Sequence, residues 1–241
     1  MEIIIALTIV TLATAIILNL NPTEKKASFS VSRLPYINSQ LKYQAQLLGI
    51  DLLLLFVLYL LNGDNFSIFF SLGNIAAPAN GVSWLGIADG ESWLSLGAGL
   101  SIVISLVTSA FVYLQFCKSG GGLRNLMPFI PWILLFSFTN SFSEEVIYRL
   151  GIVVPLAGAV DPPSILLLSA FAFGIPHLRG MPNGVVGVLM ASFLGWLLAK
   201  SVLETNGIFW AWSIHFLQDV VIFSAFVMAS QESKVVVKNT P

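Results

Sequence analysis

Residues 126–160 read LMPFIPWILLFSFTNSFSEEVIYRLGIVVPLAGAV. Both flanks are almost wholly apolar, and between them Glu144, Glu145 and Arg149 fall within six positions. A helix crosses a bilayer with about 20 apolar residues, so this run exceeds one crossing. It predicts a spanning helix over 126–150, with part of 143–160 forming a separate short or re-entrant helix. An ionisable side chain at mid-bilayer costs about 2.5–3.5 kcal/mol on insertion scales. Three of them in one apolar run therefore need an explanation.

The rest of the chain makes the membrane setting general. Its 241 residues are 56% hydrophobic and only 10% charged, with a mean hydropathy of +0.88. A soluble domain carries about 25% charge. The fold class read from this is all-α: a polytopic transmembrane bundle of seven to eight spans, forming one membrane domain over 1–241. Apolar runs place spans at 2–20, 46–62, 93–117, 126–150, 163–178, 184–203 and 207–229, and a separate crossing near 143–160 would make eight. The first run begins with Glu2 rather than a basic residue and is long, so it reads as a retained helix rather than a cleaved signal. Residues 63–92 form the longest loop, in which FSIFFSLG can lie along the membrane surface. The six Trp and 18 Phe read as lipid-facing and interfacial.

Charge sets orientation. Lys25, Lys26, Arg33, Lys42, Lys118, Arg124, Arg179, Lys234 and Lys238 all fall on one side of a seven-span bundle. The intervening loops carry Asp64, Asp89, Glu91, Asp161 and Glu204 and no Lys or Arg. The positive-inside rule makes the basic side, with the C-terminus, cytoplasmic. A net charge of −1 and the lack of a dense basic patch exclude nucleic-acid partners. The single cysteine, Cys117, excludes an intrachain disulfide.

The ionisable residues placed within the membrane are Glu144, Glu145, Arg149, His177, His215 and Asp219, which include both histidines of the chain. Asp51 reads as interfacial, and Lys200, near a helix end, can snorkel to the interface. Glu145 and Arg149 are four apart in the favourable helical order, and a bidentate Arg–carboxylate pair largely neutralises itself. Glu144 points about 100° away and has no local partner, which makes it a candidate general base or acid. His215 and Asp219 are also four apart, so the aspartate can orient the imidazole or share a ligand with it. In FAFGIPH, Pro176 frees a backbone carbonyl that must be satisfied by protein or cavity water, which places His177 beside a wet pocket.

Three motifs then stand in order: Glu144-Glu145-Val146-Ile147-Tyr148-Arg149, Phe173-Gly174-Ile175-Pro176-His177 and His215-Phe216-Leu217-Gln218-Asp219. Together they resemble the EExxxR, FxxxH and HxxxN/D pattern of the CAAX-protease and bacteriocin-processing family, intramembrane proteases related to type II CAAX prenyl endopeptidases. The resemblance covers 126–229, the motif-bearing core; residues 1–125 share only their transmembrane character. It implies that Glu144 activates a water with help from His177. It implies that His215 and the residue at 219 stabilise the oxyanion or help hold a metal, and that Glu145, Arg149 and Phe173 support them. The prenyl endopeptidase branch has Asn where this chain has Asp219. An ionised Asp cannot donate to an oxyanion, so Asp219 is protonated, orients His215 or ligates a metal.

The cofactor stays open. Glu144, His177, His215 and Asp219 are a plausible zinc set, yet the chain lacks an H-E-x-x-H helix, and a metal-free glutamate mechanism is the preferred reading. The implied partners are membrane lipids and a peptide or membrane-protein substrate: a prenylated protein, a bacteriocin or signalling-peptide precursor, or another membrane protein. Two other classes compete with an endopeptidase. One is a non-catalytic scaffold of the same family. The other is a proton-coupled transporter, which would also use intramembrane Glu, His and Asp.

Overall fold

The structure, a computed structural model, describes residues 1–20, 31–116, 123–179 and 184–238. These form an all-α bundle with no β-strand among the described residues. Helices α1 (Glu2–Leu20), α2 (Pro35–Leu61), α3 (Gly63–Phe69) and α4 (Trp93–Phe116) make the first half. In the second half, α5 (Ile130–Glu145) runs through a π-helical turn (Val146–Leu150) into α6 (Gly151–Leu156). Then come α7 (Pro162–Gly174) with a 3-10 turn (Ile175–Arg179), α8 (Gly184–Thr205) and α9 (Phe209–Lys238).

Among the described residues, six helical stretches are long and apolar enough to cross a membrane: Glu2–Leu20, Pro35–Leu61, Trp93–Tyr113, Leu126–Leu156, Gly184–Thr205 and Phe209–Gln231. The seventh expected span, 163–178, is instead the short α7 and its 3-10 turn. Pro176 supplies no N–H, so the α-helix gives way to tighter bonding there. No separate re-entrant helix follows the double glutamate. The run 126–156 stays one helical stretch, with the π turn Val146–Leu150 inside it. The second span begins at Pro35 rather than near 46, because the polar residues Asn38, Gln40 and Gln44 are buried against the bundle rather than left in a loop.

Packed side chains fix the direction of each helix. Gly151 meets Ile9 and Val10 while Tyr148 bonds Thr14, so α1 runs antiparallel to α5 and α6. Phe142 packs on Trp212 and Phe136 on Phe223, so α9 is antiparallel to α5. Gln44 pairs with Thr139 and Asp51 with Ser143, so α2 and α5 are parallel. α7 returns against α8, with Gly195 meeting Ala170 and Gly174 meeting Ser192. The chain thus passes through the bundle seven times, counting α7 with its 3-10 turn.

Residues 62–92, 157–161 and 205–208 all meet at one end. The Asn65 amide donates to the carbonyls of Val154 (3.0 Å) and Ala157 (2.9 Å). The Asn74 N–H donates to Thr205 O (2.7 Å) and the Ile208 N–H to Ser71 O (2.9 Å). Gly73, at φ 68°, lies backbone to backbone on Gly207; a Cβ on either would strike the other's main chain. Lys200 does not snorkel outward. It is buried there, paired with Glu204 and bonded to Asn80 O (2.8 Å). Asp161 caps α7, and the bonds it accepts from the Ser164 N–H and hydroxyl hold its carboxyl below the usual carboxylate range.

The core is two apolar clusters. One, towards the end just described, gathers Leu54, Leu58, Val146, Ile147, Phe173, Leu198 and Ile214. The other, at the opposite end, holds Leu34, Ile37, Ile133, Phe136, Phe223 and Val227. A polar layer lies between them along three helices: Gln44 and Asp51 on α2, Thr139 to Glu145 on α5, and His215 and Asp219 on α9. The outward faces are apolar and exposed, as at Leu52, Leu53 and Phe56 or Ile102, Val103 and Leu106. Not every aromatic residue faces lipid: Trp93, Phe136, Phe173 and Trp210 are buried, and Trp210 fills the space beside Gly97.

Candidate active site

The double glutamate ends α5 where the helix becomes π-helical, a distortion that recurs at functional sites. The two carboxylates part there. Glu145 is fully buried, whereas the Glu144 side chain keeps 27% of its surface exposed. The difference decides their surroundings.

Glu145 is held on both sides. Its Oε2 pairs with Arg149 Nε at 3.0 Å, the expected i,i+4 contact. Its Oε1 lies 2.7 Å from His215 Nδ1. A carboxylate in this role only accepts, so Nδ1 carries a proton, and Glu145 orients the imidazole from behind. The Arg149 guanidinium is buried and stacks over the Phe173 ring, 4.1 Å from its centroid. Phe173 also meets the edges of His215 (5.6 Å between centroids) and Tyr148 (5.4 Å) and packs on His177 (4.9 Å). One ring therefore spaces both histidines and covers the arginine.

Glu144 is not partnerless. Its Oε2 lies 3.5 Å from His215 Nε2, and its Oε1 accepts from the Asn140 amide at 3.1 Å. The same amide donates to Asp219 Oδ2 at 3.0 Å. Asp219 Oδ1 is 3.9 Å from His215 Nε2. So Glu144, His215 and Asp219 meet in one cluster with Glu145 and Arg149.

His177 arrives from another side. Its Nδ1 lies 2.8 Å from the Phe173 carbonyl, which can only accept. That hydrogen bond puts the proton on Nδ1 and leaves Nε2 as an acceptor. His177 and Glu144 line one cavity of about 170 Å³, walled also by Thr14, Ile17 and Leu18 of α1, Tyr43 and Leu47 of α2, and Ser143, Ile147, Tyr148 and Pro176. His215 and Asp219 are not on its wall; they stand behind Glu144. The motif-free first half thus supplies two helices to the cavity.

Other polar groups nearby left no motif. Asp51 is buried rather than interfacial and accepts the Ser143 hydroxyl. Tyr43 and Thr14 likewise join the site from positions with no spacing signal, and Asn140 bonds both Glu144 and Asp219. Asn140 could have been noticed as i−4 to Glu144, but the other pairings depend on how helices face one another.

Of the four nominated metal donors, Glu144, His215 and Asp219 meet, while His177 faces Glu144 across the cavity. Among the described residues no three His, Cys, Asp or Glu side chains are grouped so as to hold an ion. Each of the four has a partner: His215 Nδ1 with Glu145, His177 Nδ1 with Phe173 O, and Glu144 and Asp219 with Asn140; bonds of this kind to Nδ1 orient an imidazole whether its Nε2 serves a metal, a water or a carboxylate. No step below passes through a metal.

The family model described as type II CAAX prenyl endopeptidase Rce1-like matches residues 126–221. The matched segment runs from before α5 into α9 and includes Glu144, Glu145, Arg149, Phe173, His177, His215 and Asp219. No curated protein and no solved structure matches the chain.

Proposed function

From the match of residues 126–221 to the family model described as type II CAAX prenyl endopeptidase Rce1-like, we propose that this multi-pass membrane protein is an endopeptidase using Glu144 as the base for a hydrolytic water. The observation that carries this reading is the shared cavity: Glu144 and His177, from different helices, face the same space inside the bundle. Glu144 takes a proton from the water as its oxygen attacks the scissile carbonyl carbon. His177 Nε2, free to accept, holds the water's second hydrogen. Tyr43, which lines the same cavity, carries a hydroxyl that can donate to the oxyanion. Glu144 then returns its proton to the leaving amine as the C–N bond breaks, which balances the step. His215 and Asp219, behind the base, hold it rather than touch the substrate. The substrate is a peptide or a membrane protein.

The cavity lies towards the end of α1 that precedes the basic stretch 21–34, so the reading places cleavage in the cytoplasmic half of the membrane with the C-terminus on that side. The test compares membrane and secreted peptides from cells carrying the wild-type chain or Glu144→Ala at equal expression. A precursor should accumulate in the variant, and purified wild type should cleave it about 10²–10⁴-fold faster than the variant. Equal turnover by Glu144→Ala would overturn the assignment.

A further inference from the structure

Asn140 stands one turn before Glu144 on α5, and its amide nitrogen lies 3.1 Å from Glu144 Oε1 and 3.0 Å from Asp219 Oδ2. Only the NH2 end of an amide can face two carboxylates, since its oxygen has no hydrogen to give. The two hydrogens of that group serve one carboxylate each. The other oxygens of Glu144 and Asp219 face His215 Nε2, at 3.5 Å and 3.9 Å. The four side chains close a ring between α5 and α9, and Asn140 is its one permanently neutral member.

We propose that Asn140 is a positioning residue for the Glu144 base. Its amide fixes the rotation of the Glu144 carboxylate and keeps Asp219 in the same ring without direct contact between like charges. The alternative is poor. Without those two hydrogens both carboxylates would depend on His215 Nε2 alone, and like charges repel strongly where water does not screen them. Asn140 is not on the cavity wall, so it acts through Glu144 and not on substrate. The kinetic part of the proposal rests on the protease reading; the geometric part does not.

Three variants test it. Asn140→Leu keeps the side-chain shape and removes the donor. It should lower kcat about 10–100-fold with KM within about twofold, the size of effect that a misplaced catalytic group produces. Asn140→Asp sets a third carboxylate against the other two and should be worse. Adding Asp219→Asn to Asn140→Asp restores the count of two carboxylates and one amide, and should recover about tenfold over Asn140→Asp alone. A residue that merely filled space would show no such rescue. Wild-type kcat in Asn140→Leu, or no gain from Asp219→Asn, would overturn the proposal. Where Asn140→Leu does not fold, the isosteric Asn140→Asp and its rescue carry the same decision. A second readout does not need catalysis: in infrared spectra of the purified protein with labelled glutamate, Glu144→Gln identifies the Glu144 band. Asn140→Leu should move that band, and an unmoved band would sink the proposal. Absence of Glu144-dependent cleavage in the wild type would instead remove the protease reading and leave this spectral test standing.

Discussion

At the scale of single residues, the largest electrostatic commitment is Arg149. It is fully buried in a helix that crosses the membrane, and it is answered by one oxygen of Glu145 and the face of Phe173. The other oxygen of Glu145 holds His215, so the pair both neutralises a charge and orients an imidazole. Breaking a buried pair by removing one partner costs about 3–5 kcal/mol. Arg149→Met should therefore lower the melting temperature in detergent by several degrees and reduce cleavage, because Glu145 is left as a buried anion beside His215. Arg149→Met with Glu145→Leu should melt higher than Arg149→Met alone while staying poorly active. Tryptophan fluorescence on heating measures both, and an unchanged melting temperature in Arg149→Met would show that the pair carries no stability. The pair itself was legible in the sequence, because an i,i+4 contact needs only a helix. The polar contacts between helices were not. The contact of Asn140 with Asp219 spans 79 residues and that of Ser143 with Asp51 spans 92. Such contacts depend on which faces two helices turn to each other, and hydropathy says nothing of that.

At the scale of elements, two departures from the α-helix lie at the site. The π turn Val146–Leu150 directly follows Glu144 and Glu145, whose side chains part by the ordinary 100° between neighbours on a helix, one towards the cavity and one into the bundle. The end of α7 at Gly174 and the 3-10 turn after it aim His177 into the cavity. Pro176 announced the second departure; nothing in the composition of VIYRL announced the first. α7 can approach α8 because Gly174 has no side chain: a Cβ there would press on Ser192 Oγ and on the Val188 carbonyl at 2.9 Å. Overpacking of this kind costs about 1–3 kcal/mol. Gly174→Leu should push α7 from α8, shift His177 off the cavity and lower kcat more than the loss of folded protein explains. Gly174→Ala with Ser192→Gly should regain part of it, since the hydroxyl is the nearest obstacle and the backbone carbonyl the next. Activity per folded molecule, taken from the monodisperse fraction on size exclusion, checks this. Wild-type activity in Gly174→Leu would mean that the α7–α8 distance does not set His177.

At the scale of the whole molecule, the site sits in a polar layer between two apolar clusters, and the acidic end is closed by the loop 62–92. The alternation of acidic and basic connections was visible in the sequence, and it agrees with the packing that gathers 62–92, 157–161 and 205–208 at one end. What the sequence did not show is that one carboxylate fastens that end. Glu204 accepts from the Asn80 N–H and side-chain amide and from the Trp93 indole, and pairs with Lys200. Its removal leaves Lys200 buried with only the Asn80 carbonyl, and the loss of a partner from a largely buried pair costs about 3–5 kcal/mol. Glu204→Ala should therefore release the loop. In detergent, limited proteolysis should cut within 62–92 at protease levels that leave the wild type whole, and the melting temperature should fall. The cluster around Glu144 lies in the polar layer and shares no hydrogen bond with Glu204, so on the proposed reading the uncut variant should keep cleavage within about threefold of wild type at low temperature. Lys200→Met with Glu204→Leu removes both charges together and should restore much of the resistance to proteolysis, although the Asn80 and Trp93 bonds stay lost. If Glu204→Ala resists proteolysis like the wild type, the loop is held by the Gly73–Gly207 packing and the Asn65 bonds, and the ion pair is incidental. If it abolishes cleavage while the protein is folded and uncut, the Glu204 end is coupled to the site through the apolar cluster that holds both Trp93 and Phe173.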